Sequence, residues 1–207
     1  KAITAREQVE VDDAALALVA RAAEGSMRDG LSALDQVLAF TSDRVTSEAV
    51  STVLGLIGRD VQFDLADTIA REDVAGAFAL AGTVVDAGFD LRIVCRELAR
   101  LVRDMMVVKI DASRLADPEI ASESERDRLQ ALATRYSRED LLRAFDLLSR
   151  AEYDIKVSSQ PRHAFEMTLV KWIHLRQLTP LTEIIEKLGG VGATGPAGPK
   201  SPTSPTS

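Results

Sequence analysis

The residues best placed to do chemistry lie between Glu24 and Gln36, in the string EGSMRDGLSALDQ. On a helix beginning near Met27, the side chains of Met27, Leu31, Leu34 and Leu38 share one apolar face, and Arg28, Ser32 and Asp35 fall on a neighbouring polar face. Arg28 then occupies the second helical position, beside backbone N–H groups that have no intrahelical acceptor. The helix macrodipole favours anions at that end, so a cation gains nothing from it. An arginine there makes sense when it shares the place with a phosphate, which both the guanidinium and the helix start attract. The same spacing is also met by a solvated arginine on an ordinary amphipathic helix.

A second cationic set is Arg92, Arg96, Arg100 and Arg103, spaced by four, four and three. It makes a basic ridge beside the apolar stripe of Leu91, Val94, Cys95, Leu98, Leu101, Val102 and Met105. Three roles fit the ridge: a solvated face paired locally with Glu97 and Asp104, a contact between subunits, or a contact with DNA. The chain has 25 Lys plus Arg against 32 Asp plus Glu, a net charge of −7. Four charges in an acidic protein make a weak nucleic-acid footprint. Cys95 sits on the apolar stripe and reads as a buried, inert thiol. One cysteine excludes intrachain disulfides and thiolate zinc clusters. His163 and His174 lie eleven apart with no third ligand nearby, so no metal site is expected. The acidic pairs Asp12-Asp13, Glu72-Asp73 and Glu123-Glu125 fall near expected helix starts, where negative charge is favoured. The chain shows no G-x-x-x-x-G-K-[ST] loop, no G-x-G-x-x-G after a strand, no H-E-x-x-H, no C-x-x-C and no G-x-S-x-G. No catalytic residue is therefore assigned.

The elements that position these residues read as helices. Only Pro118, Pro161 and Pro180 interrupt residues 1–188, and long stretches rich in Ala, Leu, Arg and Glu favour helix. Leu141, Phe145 and Leu148, and Phe165, Leu169 and Trp172, repeat the apolar spacing of three and four. The class is all-α. Helices are expected at about 12–24, 27–41, 46–54, 60–71, 73–87, 90–112, 122–135, 138–158, 162–178 and 181–188. Asp12, Ser26, Thr46 and Ser137 are the expected N-caps, with Asp29 and Asp140 three residues after Ser26 and Ser137. Gly25, Gly55 and Gly88 are the expected stops. Residues 1–55 make a three-helix unit and 56–188 a larger helical domain, with GLIGRD (55–60) as the hinge. The stretch 189–207, GGVGATGPAGPKSPTSPTS, reads as a flexible tail or linker. No apolar run approaches the ~20 residues of a membrane span, and a soluble, cytoplasmic protein without membrane partners is expected.

The segment ARAAEGSMRDGLSALDQ (20–36) resembles the sensor 2 region of the gamma/tau subunits of the bacterial DNA polymerase III clamp loader, an AAA+ ATPase family of the replication machinery. The resemblance continues through AVSTVLGLIGRD (49–60), where the family passes from lid to collar, and returns at FEMTLVKW (165–172). It covers residues 1 to about 180, and the string G-S-x-R-D-x-L-S-x-L-D-Q is its specific part. Gly30 departs from the family's usual Ala. A helical Gly costs about 1 kcal/mol relative to Ala, which implies a less rigid lid helix.

The resemblance implies a lid and collar lacking the upstream nucleotide-binding domain, with its phosphate loop, Mg²⁺-binding acidic residues and zinc module. Arg28 would be the sensor 2 arginine, reaching the γ-phosphate of ATP, with Ser26 and Asp29 as caps rather than ligands. ATP and Mg²⁺ would be cofactors of the parent subunit and not of this piece, which should not hydrolyse ATP alone. Implied partners are copies of itself, delta and delta-prime subunits in a five-membered collar ring, and through them a sliding clamp and primed DNA. In the long, tau form, polymerase core and helicase would follow, and 189–207 fits the start of that linker. Two rival readings stand beside this one: a stand-alone helical oligomerisation or adaptor protein, and the lid of another AAA+ machine such as a branch-migration helicase.

Overall fold

The computed structural model describes residues 9–23, 25–41 and 44–178. Of these, the residues up to Leu175 belong to one compact unit and Arg176 opens a second. In the first unit, strand β1 (Glu10–Val11) leads into α1 (Asp13–Ala22) and α2 (Met27–Phe40). Strand β2 (Arg44–Val45) follows, then α3 (Ser47–Leu54). The remaining helices are α4 (Arg59–Ala70), α5 (Val74–Asp86), α6 (Leu91–Ile110), α7 (Arg126–Thr134), α8 (Arg138–Val157) and α9 (Pro161–Arg176). Among the described residues the fold is all-α apart from one parallel bridge, in which Glu10 faces Arg44 and Val11 faces Val45. A pairing this short has no alternation to detect, so the sequence carried no sign of it.

The helix ends follow side-chain chemistry. Thr46 accepts from the Ala49 N–H at 3.3 Å. Ser137 and Asp140 form a reciprocal capping box at the start of α8. Asp73 accepts from the Gly76 N–H at 2.8 Å, and Asp90 accepts from the Arg92 N–H at 2.9 Å. Gly55 ends α3 at φ 63°, a conformation that L side chains adopt only with strain. The Asp12 carboxylate lies on Arg44 at 2.6 Å, which ties the entry of α1 to β2. The expected 122–135 helix is a short 3-10 turn over Glu123–Glu125 followed by α7. The expected helix 181–188 and the tail 189–207 lie outside the described residues.

Two separate apolar cores form. The first gathers Ala15, Val19, Leu34, Val37, Val45 and Val50 from α1, α2, β2 and α3. The second is much larger and spans α4 to α9, with Phe63, Leu98, Met105, Tyr136, Phe165 and Trp172 at its centre. Helices α6 and α8 pack along their lengths, α7 lies against α4 and α6, and α5 leans on α4. The α4–α7 contact is tightened by charge. Arg128 reaches Asp60 at 3.0 Å and Asp64 at 2.5 Å, and Arg135 pairs with Asp67. The guanidinium groups of Arg59 and Arg128 both lie over the Phe63 ring, 5.3 and 4.9 Å from its centroid. The Tyr136 hydroxyl donates to the Ala66 carbonyl at 2.5 Å.

One expectation is corrected. Phe145 does not join Leu141 and Leu148 in the core; Ala144 takes that place and Phe145 is 43% exposed. On a 3.6-residue repeat, positions 141, 144, 148, 151 and 155 centre on the core, and 145 lies past the edge of that stripe. The 55–60 segment, expected as the hinge, is packed along most of its length. Leu56 and Ile57 are buried, and Arg59 is 9% exposed.

Candidate functional site

Helix α2 presents Arg28 by a short chain of local causes. Gly25 turns the chain at φ 82°, and the Ser26 N–H donates to the Ala23 carbonyl at 2.8 Å. Ser26 then caps α2, its hydroxyl accepting from the Asp29 N–H at 3.3 Å. The reciprocal half of a capping box is not made here. Arg28 is therefore at the second position of α2, exposed, and without a side-chain partner among the described residues. Met27 beside it is 73% exposed and Leu31 is 37% exposed. Of the apolar face read from the sequence, Leu34 is buried and Leu38 half-buried, and the turn that carries Arg28 is bare. Gly30 has a packing reason: a Cβ there would stand 3.1 Å from the Ala23 Cβ, tighter than ordinary contact. Its absence lets the end of α1 lie close on α2.

The four arginines of α6 do not form a free cationic ridge. Arg92 pairs with Asp90 at 2.5 Å, Arg96 with Glu152 at 3.9 Å, Arg100 with Glu97 at 3.2 Å and Arg103 with Asp104 at 3.0 Å. Hydrogen bonding from Arg92 holds the Asp90 carboxyl below the usual carboxylate range. The set also divides in space. Arg92 and Arg96 line a groove between α6 and α8 with Glu152 and Tyr153. Arg100 and Arg103 line a crevice that Ala17, Ala20 and Gly25 close from the other side. With every guanidinium beside a carboxylate, the ridge offers little net charge to a phosphate backbone.

Cys95 is fully buried, and burial pushes its thiol up to about 12. Among the described residues no group of three or more His, Cys, Asp and Glu side chains is placed to hold a metal ion, and no helix is long and apolar enough to cross a membrane. Sequence reasoning missed two features. One is the buried Arg59–Asp104 pair, 2.9 Å apart; nothing in the string GLIGRD marks its arginine as inward-facing. The other is an exposed apolar row along α8, Leu142, Phe145, Tyr153 and Val157, for which the spacing of three, eight and four was the available signal.

Comparison with known proteins gives two family matches. Residues 1–43 match the ATPase lid domain of the DNA polymerase III clamp loader subunit, and residues 45–188 match domain III of DNA polymerase III subunits gamma and tau. The DNA polymerase III subunit gamma/tau of Mycobacterium tuberculosis is 34% identical over 174 residues, 82% of this chain and 30% of that protein. DNA polymerase III subunit tau of Bacillus subtilis is 27% identical over 165 residues, 80% of this chain and 29% of that protein. The chain thus spans under a third of the length of these relatives. Among solved structures, the Bacillus subtilis DNA clamp loader delta protein superposes with a TM-score of 0.46 at 15% identity, over 83% of this chain and 53% of that one.

Proposed function

The chain belongs to the gamma/tau family of DNA polymerase III clamp-loader subunits, as a lid and collar piece, and from that premise we propose that Arg28 is its link to nucleotide. In this reading the parent subunit couples ATP binding and hydrolysis to loading a sliding clamp on primed DNA in the cytoplasm. This piece supplies the lid, here divided from the collar at Gly55, and the collar supplies contacts with other clamp-loader subunits. The single observation that carries the reading is the state of Arg28: an exposed guanidinium at a helix start, unpaired among the described residues, flanked by bare Met27 and Leu31. Such a group fits a phosphate, since both the fork and the helix start are anion-seeking. The apolar neighbours fit a protein surface closing beside it.

Mechanistically, a bound γ-phosphate gives Arg28 an anionic partner and draws the lid toward the ATPase domain. Loss of that phosphate after hydrolysis removes part of the attraction, and the two-state arrangement relaxes. Ser26 holds the turn that aims Arg28 and makes no step itself. Magnesium chemistry, in this reading, belongs to acidic residues of the ATPase domain. Subunit contact with further copies or with delta and delta-prime subunits is assigned to the groove of Arg92, Arg96 and Tyr153. There an aromatic ring and paired charges meet the surface together. Clamp, DNA, polymerase core and helicase are reached through the assembled parent.

The test is Arg28→Ala in the parent subunit, reconstituted with its partners. ATP-dependent clamp opening should fall about 10- to 100-fold, the equivalent of the roughly 1.5–3 kcal/mol in a hydrogen bond to a charged group. The thermal midpoint of the present chain should stay within about a degree, as for a surface change away from a core. An unaltered clamp-loading rate sinks the assignment.

A further inference from the structure

Any lid movement must cross into the collar between α3 and α4, and that crossing contains no free residue. The Leu56 N–H still donates to the lid, to the Ser51 carbonyl at 2.8 Å. The next residue, Ile57, already belongs to the collar: its side chain is 2% exposed within the collar core, and its carbonyl accepts from Gln62 Nε2 at 3.1 Å. Gln62 Oε1 in turn accepts from an Arg59 terminal nitrogen at 3.2 Å. The other terminal nitrogen of Arg59 donates to Asp104 Oδ2 on α6 at 2.9 Å and to the Ile120 carbonyl at 3.3 Å. Asp104 Oδ1 accepts from Arg103 at 3.0 Å. The Arg59 and Asp104 side chains are only 8% and 9% exposed.

A pair this buried adds little net stability, because lost hydration offsets the attraction. Arg59 Nε, buried and without a partner among the described residues, adds a further cost. What the fork does supply is direction, since a planar guanidinium accepts few arrangements of its acceptors. Those acceptors come from α4, from α6 and from the segment ahead of α7.

We propose that Arg59 is a positioning residue: it fixes the angle at which the chain leaves the lid for the collar, so that α3 and α4 turn together. That the turning is driven by ATP rests on the lid reading above; the fixed angle rests on the geometry alone.

The experiment is pulsed-EPR distance measurement on this chain, with nitroxides at Gln36→Cys on α2 and Glu139→Cys on α8, both exposed positions. Cys95 is buried and stays unlabelled. The parent pair should give one narrow distance. Arg59→Met with Asp104→Leu should remain folded, with a melting temperature equal to or above that of the parent, and should broaden the distribution at least twofold. Arg59→Lys, which keeps the charge and loses the fork, should fall between. A folded double variant of parental width overturns the proposal, as does a broad parental distribution. If the double variant does not fold, Arg59→Lys decides, and parental width there overturns it. Arg28→Ala leaves this distance unchanged, so the lid reading and the fixed angle fail separately.

Discussion

The lid and the collar close their cores with different side chains. The lid core gathers six small or medium side chains, with no aromatic among the described residues, while Met27, Leu31 and Phe40 stay outside. The collar buries Phe63, Tyr136, Phe165 and Trp172 to 1% exposure or less. A unit of fewer than ~60 residues hides too little surface to be robust alone. Both regions also leave large apolar side chains exposed, Met27 and Phe40 in the lid and Leu142, Phe145 and Tyr153 in the collar, so the difference lies in what fills each core.

The sharpest way to break this contrast is to remove one large side chain from each core. Trp172→Ala should cost about 3–5 kcal/mol and lower the main denaturant transition, because the cavity opens at the centre of the collar. Leu34→Ala should cost about 2–3 kcal/mol and act locally. Hydrogen exchange should rise over α1–α3 and stay slow over α6 and α8. A rise of equal size in both regions would show one cooperative core instead of two.

Caps sharpen the comparison at smaller scale. Ser137 closes a reciprocal box on α8, whereas Ser26 makes one long bond on α2. Ser137→Ala should cost about 1 kcal/mol and Ser26→Ala about 0.5 kcal/mol, both within the usual range for caps. Chemical denaturation of the two variants orders them, and the reverse order would contradict the geometry. Smallest is the acid limb. Arg92 depresses the Asp90 carboxyl in the folded collar, below its ordinary 3.8. The folded state therefore gains from this pair above about pH 4, and loses the gain as pH falls through the depressed value. Asp90→Asn should flatten that part of the stability–pH curve, measured by thermal melts between about pH 2 and pH 5. The lid's Arg44 is raised by its bond to Asp12, so the lid gives no matching limb from that arginine.

The helices were legible because their ends carry side chains that do one thing. Ser26, Thr46 and Ser137 accept a backbone N–H, and Gly55 turns left-handed where a Cβ is strained. Among the described residues the helix limits accordingly agree within a residue or two, the scale at which ends fray, except at the start of α7, which begins four residues later than expected. The candidate site was legible in part. The string around Arg28 placed that residue at a helix start, but its lack of a partner among the described residues is a tertiary fact. The α6 ridge read as four like charges, and the partner of Arg96 comes from α8, fifty-six positions along the chain. Arg59 was illegible for the same reason: its acceptors Asp104 and Ile120 are distant in sequence, and an arginine followed by an aspartate reads as solvent-facing.

The parallel bridge of β1 and β2 has a mechanical consequence. It fastens the strand that enters the lid to the strand that precedes α3, with the Asp12 N–H on the Val45 carbonyl at 3.1 Å beside it. Tension applied upstream of Glu10 and resisted by the collar therefore passes from strand to strand. It need not run through α1 and α2. Because the strands are parallel, such a pull loads their bonds side by side, in shear, instead of opening them one after another. The load path bypasses the helix that carries Arg28, which is left unloaded while the strands bear the strain.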